Sequence, residues 1–304
     1  MANVPIPQAR ACAERRAGQL GLDSADAALL ADHVLDAELC GASSHGIERM
    51  RWLHRRGRRS DARVRLVERG EGVARYDGHG TLGYISLAHA LDAELAQPLH
   101  GARLVTISHC FPTGRLGYFA ERAARSGVVC LLTATSVPRI VHHDGGPPIV
   151  GTNPLCLALP GDPDPTVVDV SMGRVTFGGV LAAAALGERL PEGSAALDDG
   201  TDTRDPQDVL ADRGGILPMG ADQAYKGFAL ALLVDLLGGA LLGSDGYGAV
   251  ALLAEPQADP VPGFREALDG RRMPGDGSTA RRAAATARGA VELPDDLWAW
   301  LEAG

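Results

Sequence analysis

The sequence predicts an α/β protein built on a mixed sheet, and three observations carry that prediction. Short runs rich in Val, Leu, Ile and Thr alternate with longer stretches of helical periodicity along the whole chain. The alternation lacks the regular strand–helix–strand spacing of a purely parallel sheet, so a mixed sheet fits better. The chain has 304 residues, 45% of them hydrophobic, enough to bury a sizeable core in one large or two modest domains. No internal repeat is present.

Taken in order, Pro7 to Leu20 and Ser24 to Cys40 read as two amphipathic helices, with Ser24 as N-cap and Leu29, Leu30, His33, Val34 and Leu35 at helical spacing. His45 to Met50 begins a third helix that runs into an arginine-rich stretch, Arg49 to Arg63, which reads as a solvated face. Val64 to Glu68 and Val73 to Asp77 read as strands, and Tyr84 to Leu95 as a helix. Then follow a strand at Arg103 to Ser108, a helix at Leu116 to Arg125 and a strand at Val128 to Thr133. A loop rich in Gly, Pro and His spans 137–154, ahead of strands at Leu155 to Leu159 and Thr166 to Val170. The acidic, turn-rich stretch from Gly193 to Gly215 reads as a surface excursion. Phe228 to Leu242 is shorter than a bilayer span and carries Asp235 and a Gly238-Gly239 pair, so it reads as a buried helix. Val250 to Leu253 is a last strand, and the tail is helical around a Pro274-Gly275-Asp276-Gly277 turn.

A net charge of −9 argues against a surface that tracks nucleic-acid phosphates. Cys12, Cys40, Cys110, Cys130 and Cys156 are odd in number and widely spaced. With the scattered histidines they form no zinc-like spacing, so no metal is expected and the thiols read as reduced. The N-terminus lacks the basic and apolar regions of a signal peptide, and the expectation is a cytoplasmic protein with no membrane association. One basic residue stands apart. Lys226 is the single lysine among 29 Lys and Arg residues, and a compact ammonium suits a phosphate or one carbonyl oxygen better than a planar guanidinium does.

Gly78-x-Gly80-x-x-Gly83 matches the dinucleotide-binding fingerprint, but the following strand, Arg103 to Ser108, offers no acidic residue for a ribose hydroxyl, and a glycine-rich helix entry is the preferred reading. His45 and Arg49 lie four apart and would share a helix face. An imidazole beside a guanidinium suits a carboxylate-bearing substrate, the arginine gripping the acid group and the histidine delivering a proton near neutral pH.

Ser44-His45-Gly46-Ile47-Glu48-Arg49 resembles the Ser-His-Gly-x-x-Arg signature of the type 2 malate/L-lactate dehydrogenase family, which includes sulfolactate, ureidoglycolate, diketogulonate and Δ1-piperideine-2-carboxylate oxidoreductases. The resemblance continues in order through Asp77-Gly78 with Gly83, Gly114 to Glu121, Gly151-Thr152-Asn153-Pro154, Val168 to Met172, Leu217 to Gly220 with Tyr225-Lys226-Gly227, and Pro274-Gly275. It implies a homodimer with a non-Rossmann nicotinamide-binding fold whose sheet is mixed and largely antiparallel, with helical N- and C-terminal segments. On that basis residues 1–70 form a helical segment packing with a 264–304 tail. Residues 71–115 form a substrate and interface part, and residues 116–263 the cofactor domain.

The resemblance makes His45 a proton donor and Arg49 the carboxylate contact. It places Val168, Asp169, Val170, Ser171, Met172, Gly173 and Arg174 along the cofactor, with Tyr225 and Lys226 reaching it and Gly275, Asp276 and Gly277 near its other end. NADPH is slightly favoured over NADH, because Arg281, Arg282 and Arg288 stand nearby. Ser44, His109, His143 and Asn153 are further candidates for the substrate side, and His142-His143-Asp144 offers an alternative acid.

The pattern breaks at one point. Relatives carry an acid/base histidine two residues before the glycine of Gly-Arg-Leu-Gly, where this chain has Pro112. The expected activity is therefore NAD(P)H-dependent reduction of a small 2-imino or 2-oxo carboxylate. A 2-hydroxy-acid dehydrogenase and a catalytically silent nucleotide-binding relative are the alternatives.

Overall fold

A computed structural model of the chain describes residues 1–57, 62–243 and 247–304. The arginine-rich stretch expected to extend the third helix thus lies in part, at 58–61, outside the described residues. The two ends of the chain meet. Strand β1 (Ala2–Pro5) pairs antiparallel with a strand near the C-terminus, Ala2 opposite Leu293. Helices α1 (Ile6–Gln19) and α2 (Ser24–Leu39) follow. Asp23, not Ser24, caps α2, its carboxylate accepting from Ala25 N at 3.1 Å and Asp26 N at 3.0 Å. An anion at the positive helix end outdoes a hydroxyl one residue on. A short 3-10 turn, Ser43–His45, and Gly46 then lead into α3 (Ile47–Arg56). His45 therefore precedes the helix that carries Arg49, and the turn brings the two side chains together where a shared helix face was expected.

The main sheet begins with β2 (Arg65–Gly70) and β3 (Val73–Asp77), continues after α4 (Gly83–Leu95) with β4 (Ala102–Ser108), and after α5 (Leu116–Arg125) with β5 (Val129–Ala134). Two short strands, β6 (Ile140–Val141) and β7 (Pro148–Val150), leave it. Strands β8 (Leu155–Leu159) and β9 (Thr166–Val170) return to it. Helix α6 (Phe177–Leu186), β10 (Ala195–Leu197), β11 (Asp202–Thr203), α7 (Pro206–Leu210) and β12 (Gly214–Ile216) come next. The chain ends with α8 (Ala224–Leu242), β13 (Ala249–Ala254), α9 (Val261–Leu268), α10 (Asp276–Arg288), β14 (Ala290–Leu293, the partner of β1) and α11 (Asp295–Glu302).

Among the described residues the main sheet has seven strands in the order β2-β3-β4-β13-β5-β8-β9. Only β3 and β4 run parallel; every other neighbouring pair is antiparallel. Leu87 and Leu91 of α4 and Phe119 of α5 pack on it with Ile107, Leu132 and Leu253 in one core. Since β4 and β5 both pair with β13, this sheet runs straight across the expected boundary at 115/116, and β2 joins its edge from within the expected N-terminal segment.

The segment from Gly193 to Gly215 is not a surface excursion. Its strands β10, β11 and β12 form a second, five-stranded sheet with β6 and β7, packed through Ile140, Met172, Val180 and Ile216. Strands of two or three residues are too short to show a period. Gly214 and Gly215 look like turn residues but are buried, since a Cβ on Gly214 would lie 2.2 Å from the Ala196 carbonyl.

Helix α8 departs from expectation as well. Ala231, Val234 and Gly238 are buried, but Leu233 and Leu236 are 56% and 65% exposed, with Leu230, Leu232 and Leu237 beside them. Among the described residues it is the one helix long and apolar enough to cross a bilayer. Its apolar residues surround the axis, so one side packs on the protein and the other is left uncovered.

Candidate active site

His45 is placed by its turn. The Glu38 carboxylate, from the end of α2, accepts from Ile47 N at 2.8 Å and so caps α3 from beneath the 43–46 turn. Burial raises its pKa to about 7, even with Ser43 and Ile47 hydrogen bonds favouring the anion. Gly178 of α6 backs onto the same turn so closely that a Cβ there would lie 1.9 Å from the Ser44 carbonyl oxygen. Ser44 Oγ lies 3.0 Å from His45 Nδ1 and fixes the ring.

Arg49 is buried in the first turn of α3. Its guanidinium stacks over Trp52 at 4.5 Å and lies 5.9 Å from the Phe177 ring centre. Its Nε and Nη1 have no acceptor in the protein. Buried N–H donors are normally satisfied, and Arg49 lines a cavity in which an anionic ligand would supply the missing acceptor.

That cavity, about 70 Å³, is lined by His45, Arg49, Pro112, Arg139, Ser171 and Thr176, among others, and no acidic side chain lines it. Arg139 went unnoticed in the sequence. Its guanidinium stacks on Phe177 at 4.5 Å, and its Nη1 donates to Asp212 at 2.6 Å. Phe177 therefore touches two cations. The partner that holds Arg139 is 73 residues away in a segment read as an excursion, so no local motif announced it.

The cavity wall lowers the pKa of His45 to about 3, through burial first and then the charges of Arg49 and Arg115. The free site thus holds a neutral imidazole at neutral pH, not the imidazolium expected of a ready proton donor. A bound carboxylate would offset the charge of Arg49 and raise that pKa.

The other candidates scatter. Ser44 touches His45 and does not itself line the cavity. His109 does not line the cavity; its backbone is left-handed (φ 51°) and its Nδ1 lies 2.9 Å from Asp77, so it does not stand in for the histidine missing at Pro112. Asn153 is fully buried, its Nδ2 donating to the Ala231 carbonyl at 2.8 Å; it anchors α8 and has no access to a substrate. His143 lies by Tyr225, their ring centres 6.3 Å apart.

The cofactor candidates form a path. Ser171 lines the His45 cavity. Val167 and Asp169 line a second cavity of about 80 Å³ with Arg115, Gly275, Ser278 and Arg282. Between the two runs the edge strand β9, roughly 13 Å at strand rise. A Cβ on Gly275 would lie 2.1 Å from the Val167 carbonyl, so glycine is needed where the start of α10 meets β9. The start of α10 offers Ser278 and Thr279 hydroxyls there, but Glu121 and Asp169 also line this cavity, Arg282 is paired with Asp36 and Glu121, and Arg115 is paired with Asp36. Met172, Gly173 and Arg174 continue past Leu217 to Met219, with Gly173 bridging Pro218. Lys226 and Tyr225 are exposed at the start of α8, with the ammonium 5.7 Å from the Tyr225 ring centre, outside both cavities.

Comparison with known proteins gives the family and the fold. The malate/L-lactate dehydrogenase family profile matches residues 4–264. Over 234 residues the chain is 30% identical to the L-sulfolactate dehydrogenase of Methanothermobacter thermautotrophicus, covering 75% of this chain and 67% of that protein. It is 32% identical to the Δ1-pyrroline-2-carboxylate/Δ1-piperideine-2-carboxylate reductase of Pseudomonas putida, covering 73% of this chain and 66% of that one. The matched part is thus about two thirds of these relatives' lengths. A solved dehydrogenase of Sinorhizobium meliloti superposes with a TM-score of 0.86 at 29% identity, covering 99% of this chain and 97% of that one.

The fold is thus one shared with oxidoreductases whose members include an L-sulfolactate dehydrogenase and a Δ1-pyrroline-2-carboxylate/Δ1-piperideine-2-carboxylate reductase. The chain belongs to the malate/L-lactate dehydrogenase family.

Proposed function

We propose that this protein is an NAD(P)H-dependent reductase whose preferred substrate is a small 2-iminocarboxylate, with 2-oxo acids as weaker substrates. The observation that carries this reading is that His45 is the one imidazole among the residues lining the Arg49 cavity, and that it is neutral there. A bound nicotinamide supplies the hydride. An iminium ion brings its own proton, so hydride addition at the carbon beside the carboxylate yields the amine with no proton owed by the protein. A ketone needs a proton on its oxygen in the same step. Arg49 holds the substrate carboxylate through its free Nε and Nη1, and His45, held by Ser44, faces the reacting group. A bound carboxylate offsets the charge of Arg49 but not the burial that chiefly lowers the His45 pKa, so His45 stays a poor proton source and 2-oxo acids are slower substrates.

A second reading has an observation of its own. A neutral imidazole is the form that takes a proton from a hydroxyl, so His45 also suits oxidation of a 2-hydroxy acid at high pH. The β9 edge, Gly275 and Lys226 are read as the cofactor track, for NADPH or NADH; Arg282 at the far end is held by Asp36 and Glu121. The uncovered leucine face of α8 is read as the contact between two copies in a homodimer. The five buried thiols fit a reducing cytoplasm. The test is NADPH and NADH oxidation followed by absorbance with 2-oxo acids and cyclic 2-imino acids. Turnover of either class supports a reductase. Cofactor binding without turnover of any of them would leave a silent relative instead.

A further inference from the structure

We infer that His142, His143 and Asp144 form a binding site for a divalent transition-metal ion of the zinc, cobalt or nickel type. The sequence showed no separated ligand pair of the usual kind. Here three consecutive residues in the tight turn between β6 and β7 converge, with their donor atoms all within 4.8 Å of one another. Asp144 Oδ2 lies 3.6 Å from His142 Nδ1 and 3.8 Å from His143 Nε2. Tetrahedral ligands at metal distances of about 2.0–2.2 Å stand roughly 3.3 Å apart, so the two Asp144 edges close with a shift of a few tenths of an ångström, while the edge between the two imidazoles, bounded at 4.8 Å, closes by a larger turn of the rings. The His142 Nδ1 lone pair already points at this space, where it accepts a 3.2 Å bond from Asp144 N that an ion would replace.

The surroundings favour an ion. The two imidazole centres are 3.9 Å apart, so both rings lie beside the same turn. Phe228 of α8 packs edge-on against His142 at 4.8 Å, which limits the ring's freedom to turn away. Gly145 and Gly146 follow at φ 99° and 101°, conformations that let the chain double back and present three adjacent side chains to one point. Two imidazoles and one carboxylate select zinc, cobalt, nickel or copper over magnesium or calcium. Three protein ligands leave a position for water. All five thiols are buried, so no exposed cysteine competes. A bound ion would cross-link the β6–β7 turn, whose His142 packs on Phe228 of α8.

The proposal is independent of the reductase reading, and its test uses no substrate. Calorimetric titration of the full chain with Zn²⁺ is expected to show one equivalent bound. Affinity should fall at least tenfold in His143→Ala and in Asp144→Asn, and stay unchanged in His100→Ala, which alters an exposed histidine elsewhere. Co²⁺ added to the wild type should give the visible bands of a nitrogen-ligated, low-coordinate ion, a readout that does not depend on how any variant folds. A wild-type Kd weaker than about 1 mM, a colourless Co²⁺ form, or equal Zn²⁺ affinity in the His142→Ala/His143→Ala double variant would overturn the site.

Discussion

Arg49 holds two buried donors, Nε and Nη1, that no protein atom accepts. Hydrogen bonds to a charged partner contribute about 1.5–3 kcal/mol, so Arg49→Ala should raise KM for the carboxylate substrate roughly tenfold to a hundredfold. Arg49→Lys should recover only part of that, because an ammonium keeps the charge and loses the two-pronged geometry. Steady-state kinetics on both variants decides it; an unchanged KM in Arg49→Ala would remove Arg49 from the carboxylate. At this scale the sequence was informative where a motif is local, as with Ser44, His45 and Arg49. It was uninformative where partners are distant. Arg139 reaches the cavity through Asp212 and Phe177, and Asn153 and His109 are drawn into structural contacts by neighbours no spacing rule connects.

The turn carrying His45 is gripped by two elements, and each grip makes a prediction. Alanine normally stabilises a helix relative to glycine by about 1 kcal/mol. At Gly178 of α6 the sign should reverse, because a Cβ would meet the Ser44 carbonyl at 1.9 Å. Overpacking of this kind costs about 1–3 kcal/mol, so Gly178→Ala should lower both the melting temperature and turnover.

The second grip is Glu38, whose pKa of about 7 lies above its ordinary 4.5. Between those values the folded chain keeps a proton that the unfolded chain has released, so this contribution fades as pH rises from 4.5 to 7. His45, at about 3 against 6.5, acts oppositely: the unfolded chain takes a proton that the folded one refuses, and stability fades as pH falls below 6.5. The two slopes oppose each other between pH 4.5 and 6.5. Glu38→Gln, which can still accept from Ile47 N, should therefore lose stability on acidification more steeply than wild type, by about 1.4 kcal/mol per pH unit. Urea melts across that range measure the slope, and parallel curves would contradict the assignment. Elements of five or more residues with a clear period, such as α2, α4, α5 and β8, were legible in the sequence. The short strands β1, β6, β10, β12 and β14 were not, since their pairing comes from the sheet they join.

For the whole molecule, the mixed, largely antiparallel sheet was legible from irregular alternation and ordered motifs, while the exposure of α8 was not. An all-round apolar helix reads the same whether protein or a second chain covers it. If two copies cover it, light scattering should report a dimer, and Leu233→Glu with Leu236→Glu should give a monomer. The most direct test of the central claim, a site built for a substrate that carries its own proton, is the rate of NADPH oxidation at pH 7 with one 2-oxo acid, measured with and without methylamine, beside a cyclic 2-imino acid. The account predicts fast turnover of the cyclic imine and a rate with the 2-oxo acid that rises at least tenfold when methylamine is present. A 2-oxo acid reduced equally fast without amine, with the cyclic imine inert, would contradict it.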